Sequence, residues 1–191
     1  MINRRHMLAT ASALALLGPS LAQAQTAAPA NTDWLHYAND LASSRYSPLD
    51  QINASNFNQL EVAWRFKPDS LGARPEYQYE TTPLMIGGRL FTTAGSRRDV
   101  VALDAKTGEI LWLHRYDEGE RGRLAPRQLS GHGVSYWTDG KEERILFVTP
   151  GYRLIALDAR TGTRVPGFGT DGIVDLRLDD DQEMDLVKAD I

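Results

Sequence analysis

The side chains that could support chemistry are few, and their spacing excludes several common sites. The chain has four histidines, His6, His36, His114 and His132. Their separations do not match a metal-ligand pattern, and we interpret His36 and His114 as partly buried or surface residues. The acidic run over residues 179–185 lacks the glycine turn and terminal glutamate of a calcium loop, which favours a solvated surface segment.

The sequence contains no nucleophile arrangement of the Ser/His/Asp type and no phosphate-cradling glycine loop. The candidates that remain, Glu80, His132 and Thr149, acquire a role only from the elements that would position them.

The composition limits which elements the chain can form. The chain has 191 residues, 42% of them apolar, and no cysteine. A net charge of -4 argues against binding of nucleic acid through phosphate neutralisation. Sixteen glycines and nine prolines favour many turns and short elements over long helices.

The amino terminus has the pattern of a secretory signal peptide over residues 1–24. Arg4 and Arg5 precede an Ala/Leu-rich stretch over residues 7–17, and the small-x-small sequence Ala22-Gln23-Ala24 follows. The apolar stretch is about 11 residues long, which is too short for a spanning helix of about 20 residues. We therefore expect export to the periplasm or an equivalent compartment, by the general secretion route or, given the paired arginines, by the twin-arginine route. Residues 25–33 are expected to be a flexible leader.

The rest of the chain reads as a succession of short strands. Alternation of apolar residues predicts a half-buried strand over residues 60–66. The apolar runs 82–86 and 89–93 flank Gly87-Gly88, which predicts a hairpin with a two-residue turn. Further strands are predicted over residues 98–103 and 109–115.

This strand pattern recurs. The sequence VALDAKTG at residues 101–108 is matched by IALDARTG at residues 155–162, an offset of 54 residues. Between them, residues 134–137, a turn over 138–141 and residues 144–149 predict a second hairpin. Four antiparallel strands per repeat are typical of a propeller blade. The Asp/Thr/Gly turn has a structural explanation, because Gly adopts positive φ while Asp and Thr side chains cap nearby amides.

The residues 102–112, ALDAKTGEILW, resemble the tryptophan-docking motif of the quinoprotein alcohol and glucose dehydrogenases. Residues 34–64 are similar in order and spacing to the opening segment of that family, and residues 168–176 resemble its glucose-dehydrogenase-like branch. The resemblance implies an eight-bladed propeller that holds pyrroloquinoline quinone (PQQ). It also implies that Trp112 closes its blade by stacking on the next one, and we interpret Trp64 and Trp112 as packing anchors rather than an electron path.

The resemblance assigns three cofactor contacts, Glu80, His132 and Thr149. Glu80 matches a family position that contacts the quinone, and its place before an apolar strand would let it face the propeller axis; without the resemblance it would be read as a solvated loop glutamate. Thr149 matches a position that hydrogen-bonds the cofactor. No catalytic or metal residue is assigned, because the family's metal ligands and catalytic aspartate are expected beyond residue 191.

His132 departs from the family pattern, in which an arginine pairs with a cofactor carboxylate. Histidine is only partly charged near neutral pH and offers one donor toward a carboxylate, whereas arginine is a permanent, forked cation. Either the cofactor binds less firmly or the site has changed, unless Arg127 supplies the missing charge. The paired cysteines of the alcohol-oxidising branch are absent, which favours the glucose-like branch or a non-binding relative.

The sequence thus predicts an all-β fold, a partial β-propeller of about three four-stranded antiparallel blades from an eight-bladed ring. The expected function is that of the amino-terminal part of an exported PQQ- and Ca²⁺-dependent dehydrogenase. That enzyme would oxidise a sugar or alcohol hydroxyl and pass electrons to a quinone or a cytochrome, whereas this chain alone is expected to be inactive. A binding or assembly scaffold without quinone, and a truncated product without activity of its own, are the alternatives.

Overall fold

The computed structural model describes residues 33–71, 78–128 and 130–178. The predicted signal peptide, residues 25–32 of the predicted leader and the acidic run over 179–185 lie outside these residues. Asp33 is described, and its carboxylate accepts a hydrogen bond of 3.0 Å from the Gly87 amide. Throughout the described ranges, every helix is too short or too polar to cross a lipid bilayer.

Two four-stranded antiparallel sheets form the body of the structure, each with its strands in sequence order. The first sheet consists of β2 (Leu84–Ile86), β3 (Arg89–Ala94), β4 (Asp99–Asp104) and β5 (Ile110–His114). The second consists of β7 (Ser135–Thr138), β8 (Glu143–Val148), β9 (Arg153–Asp158) and β10 (Ile173–Asp175). Two short strands complete the set: β1 (Gln78–Tyr79) precedes the first sheet in the sequence, and β6 (Ser130–Gly131) precedes the second. The all-β propeller prediction is confirmed, with two complete blades among the described residues where about three were expected.

The turns follow the predicted chemistry. Gly87 and Gly88 have φ values of 55° and 76°, which matches the positive angles that a tight two-residue hairpin between β2 and β3 requires. In the second hairpin, the Asp139 carboxylate instead accepts hydrogen bonds of 2.8 Å from the amides of Lys141 and Glu142.

The repeated Asp/Thr/Gly turn has the same geometry in both blades. The carboxylate of each turn aspartate accepts hydrogen bonds from the amides two and three residues further along, at 2.9 and 2.8 Å for Asp104 and at 2.9 Å for both in Asp158. Gly108 and Gly162 close the turns at φ values of 76° and 70°. The repeat is therefore a structural device, as the sequence predicted.

The outer strand of the second blade is interrupted. Arg164 forms a single bridge with Leu157, and the Val165 amide donates to the Ala156 carbonyl at 2.9 Å. Pro166 follows, and because proline has no N–H it cannot continue the ladder. The chain leaves the sheet and returns as β10, in register with β9.

The strand predicted over residues 60–66 is wrong: the chain there has no regular secondary structure and joins none of the sheets among the described residues. Leu60 and Val62 are 52% and 64% exposed. Alternation of apolar residues produces a strand only where a neighbouring strand accepts its backbone hydrogen bonds. The segment is held instead by Trp64 and Phe66, which pack against buried side chains of the first sheet.

The hydrophobic core lies between the two blades. Side chains from both sheets form one cluster, with Leu84, Ile86, Phe91, Val100 and Ala102 from the first and Ile145, Phe147, Ile155 and Leu157 from the second. The blades are also joined by Arg89, whose guanidinium donates to the Ala159 carbonyl at 3.0 Å and pairs with Glu143 at 3.1 Å. Each blade therefore buries one face against the other.

Candidate functional site

A parallel two-stranded pair places Glu80 and His132 side by side. Strand β1 pairs with β6, with Gln78 opposite Ser130 and Tyr79 opposite Gly131. Glu80 and His132 are the next residues along the two strands, so they emerge at the same end of the pair. Two of the three predicted cofactor contacts therefore lie close together at one end of this strand pair, although they are far apart in the sequence.

Glu80 and His132 line an open cavity of about 760 Å³ that is bordered by residues of both blades. Other lining residues are Thr81, Arg98, Arg127, Gly133 and Tyr152. This volume falls within the range of about 300–1,000 Å³ that small-molecule and cofactor sites occupy. The cavity can therefore hold a ligand the size of a fused-ring cofactor.

Two arginines bring permanent positive charge to the cavity. Arg98 is 6% exposed, and its guanidinium donates to the carbonyl oxygens of Val148 at 3.3 Å and Arg127 at 2.9 Å. Arg127 is exposed and lines the cavity wall. The sequence points to Arg127 as a source of charge but does not single out Arg98. The sequence signal for Arg98 is its place directly before an apolar strand. If an arginine is buried at such a position, its guanidinium requires hydrogen-bond acceptors.

The surroundings of His132 favour its neutral form. Partial burial lowers the pKa of His132 below its usual value, and the positive charges of Arg98 and Arg127 lower this pKa further. The Glu80 carboxylate acts in the opposite direction without reversing the shift in pKa. At neutral pH the imidazole is therefore mainly uncharged and contributes little positive charge to the cavity.

Thr81 and Gly133 pack closely against each other in the cavity wall. Gly133 has a φ of 73°, and a Cβ at this position would lie 2.5 Å from the Thr81 hydroxyl oxygen. That hydroxyl oxygen is buried and has no hydrogen-bond partner among the described residues. Because a side chain at position 133 would collide with this hydroxyl, the close packing of the wall requires a glycine there.

Thr149 lies beside the cavity, between the lining residues Val148 and Pro150. The Thr149 side chain is buried, and its hydroxyl donates to Glu118 at 2.6 Å and accepts from the Arg153 amide at 3.0 Å. These bonds commit the hydroxyl to Glu118, on the segment between the two sheets, and to the first residue of β9. A cofactor contact of Thr149 stays a prediction.

The two predicted packing tryptophans dock on equivalent turns. Trp112, on β5, donates its indole N–H to the Ala159 carbonyl at 3.1 Å. Trp64 donates to the Ala105 carbonyl at 3.2 Å. Each indole also lies against the glycine that ends its turn, Gly162 for Trp112 and Gly108 for Trp64.

Metal-ligating side chains do not gather anywhere in residues 33–71, 78–128 or 130–178: no three His, Asp or Glu side chains lie close enough together to hold an ion. The half-buried His114 lies between the blades instead. Its Nδ1 is 2.9 Å from the Gly162 carbonyl oxygen, and its ring makes an edge contact with Phe147.

A family model described as the β-propeller domain of glucose, ethanol and alcohol dehydrogenases that use PQQ matches residues 34–188. The glycerol dehydrogenase large subunit of Gluconobacter oxydans (strain 621H) is 35% identical over 168 residues, which cover 83% of this chain and 22% of that protein. The dehydrogenase subunit of the alcohol dehydrogenase (quinone) of the same organism is 40% identical over 136 residues, which cover 70% of this chain and 16% of that protein.

Two solved structures show the same fold. The quinohemoprotein alcohol dehydrogenase ADHIIG from Pseudomonas putida HK5 is 30% identical with a TM-score of 0.62, covering 78% of this chain and 20% of that chain. The quinohemoprotein alcohol dehydrogenase from Comamonas testosteroni is 33% identical with a TM-score of 0.55, covering 70% of this chain and 19% of that chain. The chain thus spans about a fifth of the length of the proteins that it matches.

Proposed function

The chain belongs to the family of PQQ-dependent glucose, ethanol and alcohol dehydrogenases, and we propose that it holds PQQ in the cavity beside Glu80 and His132 as part of an enzyme that oxidises an alcohol or sugar hydroxyl. The observation that carries this proposal is the convergence of Glu80, His132, Arg98 and Arg127 on one cavity. Because the chain spans about a fifth of its relatives, the activity of the whole protein is part of the proposal.

The residues of the cavity fit the chemistry of PQQ, which is a planar tricarboxylate with an ortho-quinone. Carboxylates require cations or hydrogen-bond donors when they leave water, and Arg98 and Arg127 provide permanent positive charge. Thr81 and Gly133, packed against each other, form part of the wall that such a ligand would contact. Glu80 offers an acceptor toward a ring N–H.

When bound, the quinone would supply the two-electron acceptor for the oxidation of a hydroxyl group. The part that these residues perform is binding and orientation: the positive charges of Arg98 and Arg127 attract carboxylate groups, and the cavity wall orients the ring. A divalent cation, calcium by the resemblance, belongs to the proposal as well, with ligands outside the described residues. A quinone or a cytochrome is the proposed electron acceptor, which agrees with the name of the matched alcohol dehydrogenase (quinone).

The test is a dye-linked assay of the full-length protein that contains this chain, after loading with PQQ and Ca²⁺, with ethanol, glycerol and glucose as substrates. We expect dye reduction that requires both PQQ and one of these substrates. If the folded protein neither binds PQQ nor reduces the dye, the dehydrogenase proposal fails and a scaffold role is favoured.

Export is proposed from the pattern of residues 1–24. Expression in a Gram-negative host should yield a periplasmic protein whose amino-terminal sequence begins at Gln25. Recovery of an uncleaved chain from the cytoplasm would overturn this proposal. A companion experiment replaces Arg4 and Arg5 with lysine: loss of export would assign the twin-arginine route, and unchanged export would assign the general route.

A further inference from the structure

The positive charge of the cavity is carried by residues other than the one that the family pattern assigns. His132 occupies the position where the resemblance places an arginine. The charged groups that face it are Arg98 at the start of β4, Arg127 on the segment between the blades, and Glu80 after β1. Arg98 and Arg127 keep their positive charge at every physiological pH, whereas His132 does not.

Arg98 has its guanidinium committed to the protein. Its Nη1 donates to the Val148 carbonyl at 3.3 Å, and its Nη2 donates to the Arg127 carbonyl at 2.9 Å. Val148 ends a strand of the second blade, whereas Arg98 belongs to the first. Arg98 therefore fixes the main chain of Arg127 at the rim of the cavity and adds a stationary positive charge beside it.

Arg127 differs from Arg98 in having a side chain that is exposed at the cavity. Within the described residues, it forms no ion pair with a carboxylate. The guanidinium is thus positioned at the wall and can turn toward an anion in the cavity without breaking an existing ion pair. Its planar fork can bind a carboxylate through two parallel hydrogen bonds.

We propose that Arg127 is the residue that pairs with a carboxylate of PQQ in this protein, in place of His132, and that Arg98 is the positioning residue that holds the main chain of Arg127. This inference rests on the proposed function, because it presumes that PQQ is the ligand. It explains how the cavity retains affinity for a carboxylate although the family's arginine is a histidine here.

The test measures PQQ affinity by quenching of the intrinsic fluorescence of the full chain at pH 7. Arg127→Gln should weaken binding by about tenfold or more, since a charge-assisted bidentate contact is lost. Arg127→Lys should recover part of this loss, and His132→Gln should change the affinity by less than about threefold. The matched control is Arg97→Gln, because Arg97 neighbours Arg98 but is 65% exposed and pairs with Asp117 away from this cavity.

A double-mutant cycle separates positioning from a general structural role of Arg98. Arg98→Lys alone should weaken PQQ binding, but in the Arg127→Gln background it should have little further effect, because its contribution passes through Arg127. Effects of the two substitutions that simply add would overturn the positioning role.

The pH profile gives a second readout. A charge supplied by arginine predicts a PQQ affinity that changes by less than about twofold between pH 6 and 8, whereas a charge supplied by His132 predicts loss of affinity as the pH rises. Tight binding to Arg127→Gln together with a large loss in His132→Gln would overturn the inference and leave PQQ binding intact. Absence of PQQ binding to the unsubstituted protein would overturn the proposed function and this inference with it.

Discussion

The indole of Trp112 lies against Gly162 of the following blade, and its N–H donates to the Ala159 carbonyl oxygen over 3.1 Å. A Cβ on Gly162 would lie 2.5 Å from the Trp112 ring, so the glycine is required both by its φ of 70° and by this contact. Trp64 repeats the arrangement on the first blade, against Gly108. The repeated turn is therefore a docking platform for the tryptophan of the preceding repeat.

Substitution of Gly162 by alanine should destabilise the protein strongly. The new methyl group meets the Trp112 ring and also forces alanine into a left-handed conformation, which together should cost about 3 kcal/mol of the free energy of unfolding. Urea denaturation of the full chain measures this cost.

The matched control is Gly140→Ala. Gly140 has a φ of 88° with no atom within 4 Å of an added Cβ, so this variant isolates the backbone strain and should cost about 1 kcal/mol. Equal costs for Gly162→Ala and Gly140→Ala would contradict the docking contact.

Trp112 should contribute to stability through its ring and through its donor. Trp112→Phe keeps an aromatic ring but leaves the Ala159 carbonyl without this donor, which should cost about 1 kcal/mol. Trp112→Ala should cost about 3 kcal/mol, because the contacts of the ring with Gly162 and with the buried cluster between the blades are lost. Trp137, which is 41% exposed, serves as the control, and Trp137→Phe should stay within about 0.5 kcal/mol.

Acidification should weaken the contact between the blades through His114. Burial lowers the pKa of His114 below its ordinary value of 6.5, and the hydrogen bond with the Gly162 carbonyl only partly opposes this shift. The unfolded state therefore takes up a proton at a higher pH than the folded state. Stability should be full above pH 6.5 and fall as the pH decreases through 6.5 toward the folded pKa.

The measurement for His114 is the free energy of unfolding between pH 5 and 7.5 for the unsubstituted protein and for His114→Gln. Glutamine retains an amide that can donate to the Gly162 carbonyl but does not titrate, so the slope with pH should become shallower. An unchanged slope would assign the pH dependence to other groups, including His132.

Arg121 ties the segment between the blades to the second sheet. Its guanidinium donates to Asp175 at 2.7 Å and to the Gly151 carbonyl at 2.6 Å, with both side chains of the ion pair mostly buried. Asp175→Asn should therefore cost about 1–2 kcal/mol at pH 7. The exposed pair of Arg123 and Glu120 is the control, and Glu120→Gln should cost less than about 0.5 kcal/mol.

The Asp175 ion pair also predicts a pH dependence in the acid range. The hydrogen bond from Arg121 holds the pKa of Asp175 below its ordinary value of 3.8. Its contribution is present above pH 3.8 and is lost as the pH falls through the lowered folded pKa. The acid unfolding midpoint should thus move to higher pH in Asp175→Asn, and a midpoint that does not move would argue against this pair.

The features that sequence reasoning predicted correctly are those set by local chemistry. Gly87-Gly88 determines its hairpin turn, and Asp104 and Asp158 cap turns within three residues of themselves. The strand over residues 60–66 was predicted wrongly, because alternation reports which side chains could be buried and does not reveal whether a neighbouring strand is present.

The site could be predicted only in part. The parallel pairing of β1 with β6 rests on two residues in each strand, which is too short for any periodic signal. Arg98 is buried because distant carbonyl oxygens, those of Val148 and Arg127, accept its hydrogen bonds. Such partners become known only when the two blades are in place.

The most direct test of the central claim is the crystallographic electron density of the full chain grown with PQQ. We predict density for the tricyclic ring in the cavity between Glu80 and His132, with a carboxylate group within hydrogen-bond distance of the Arg127 guanidinium. Well-ordered density for both blades with PQQ bound elsewhere, or with this cavity filled by solvent alone at saturating PQQ, would contradict the claim.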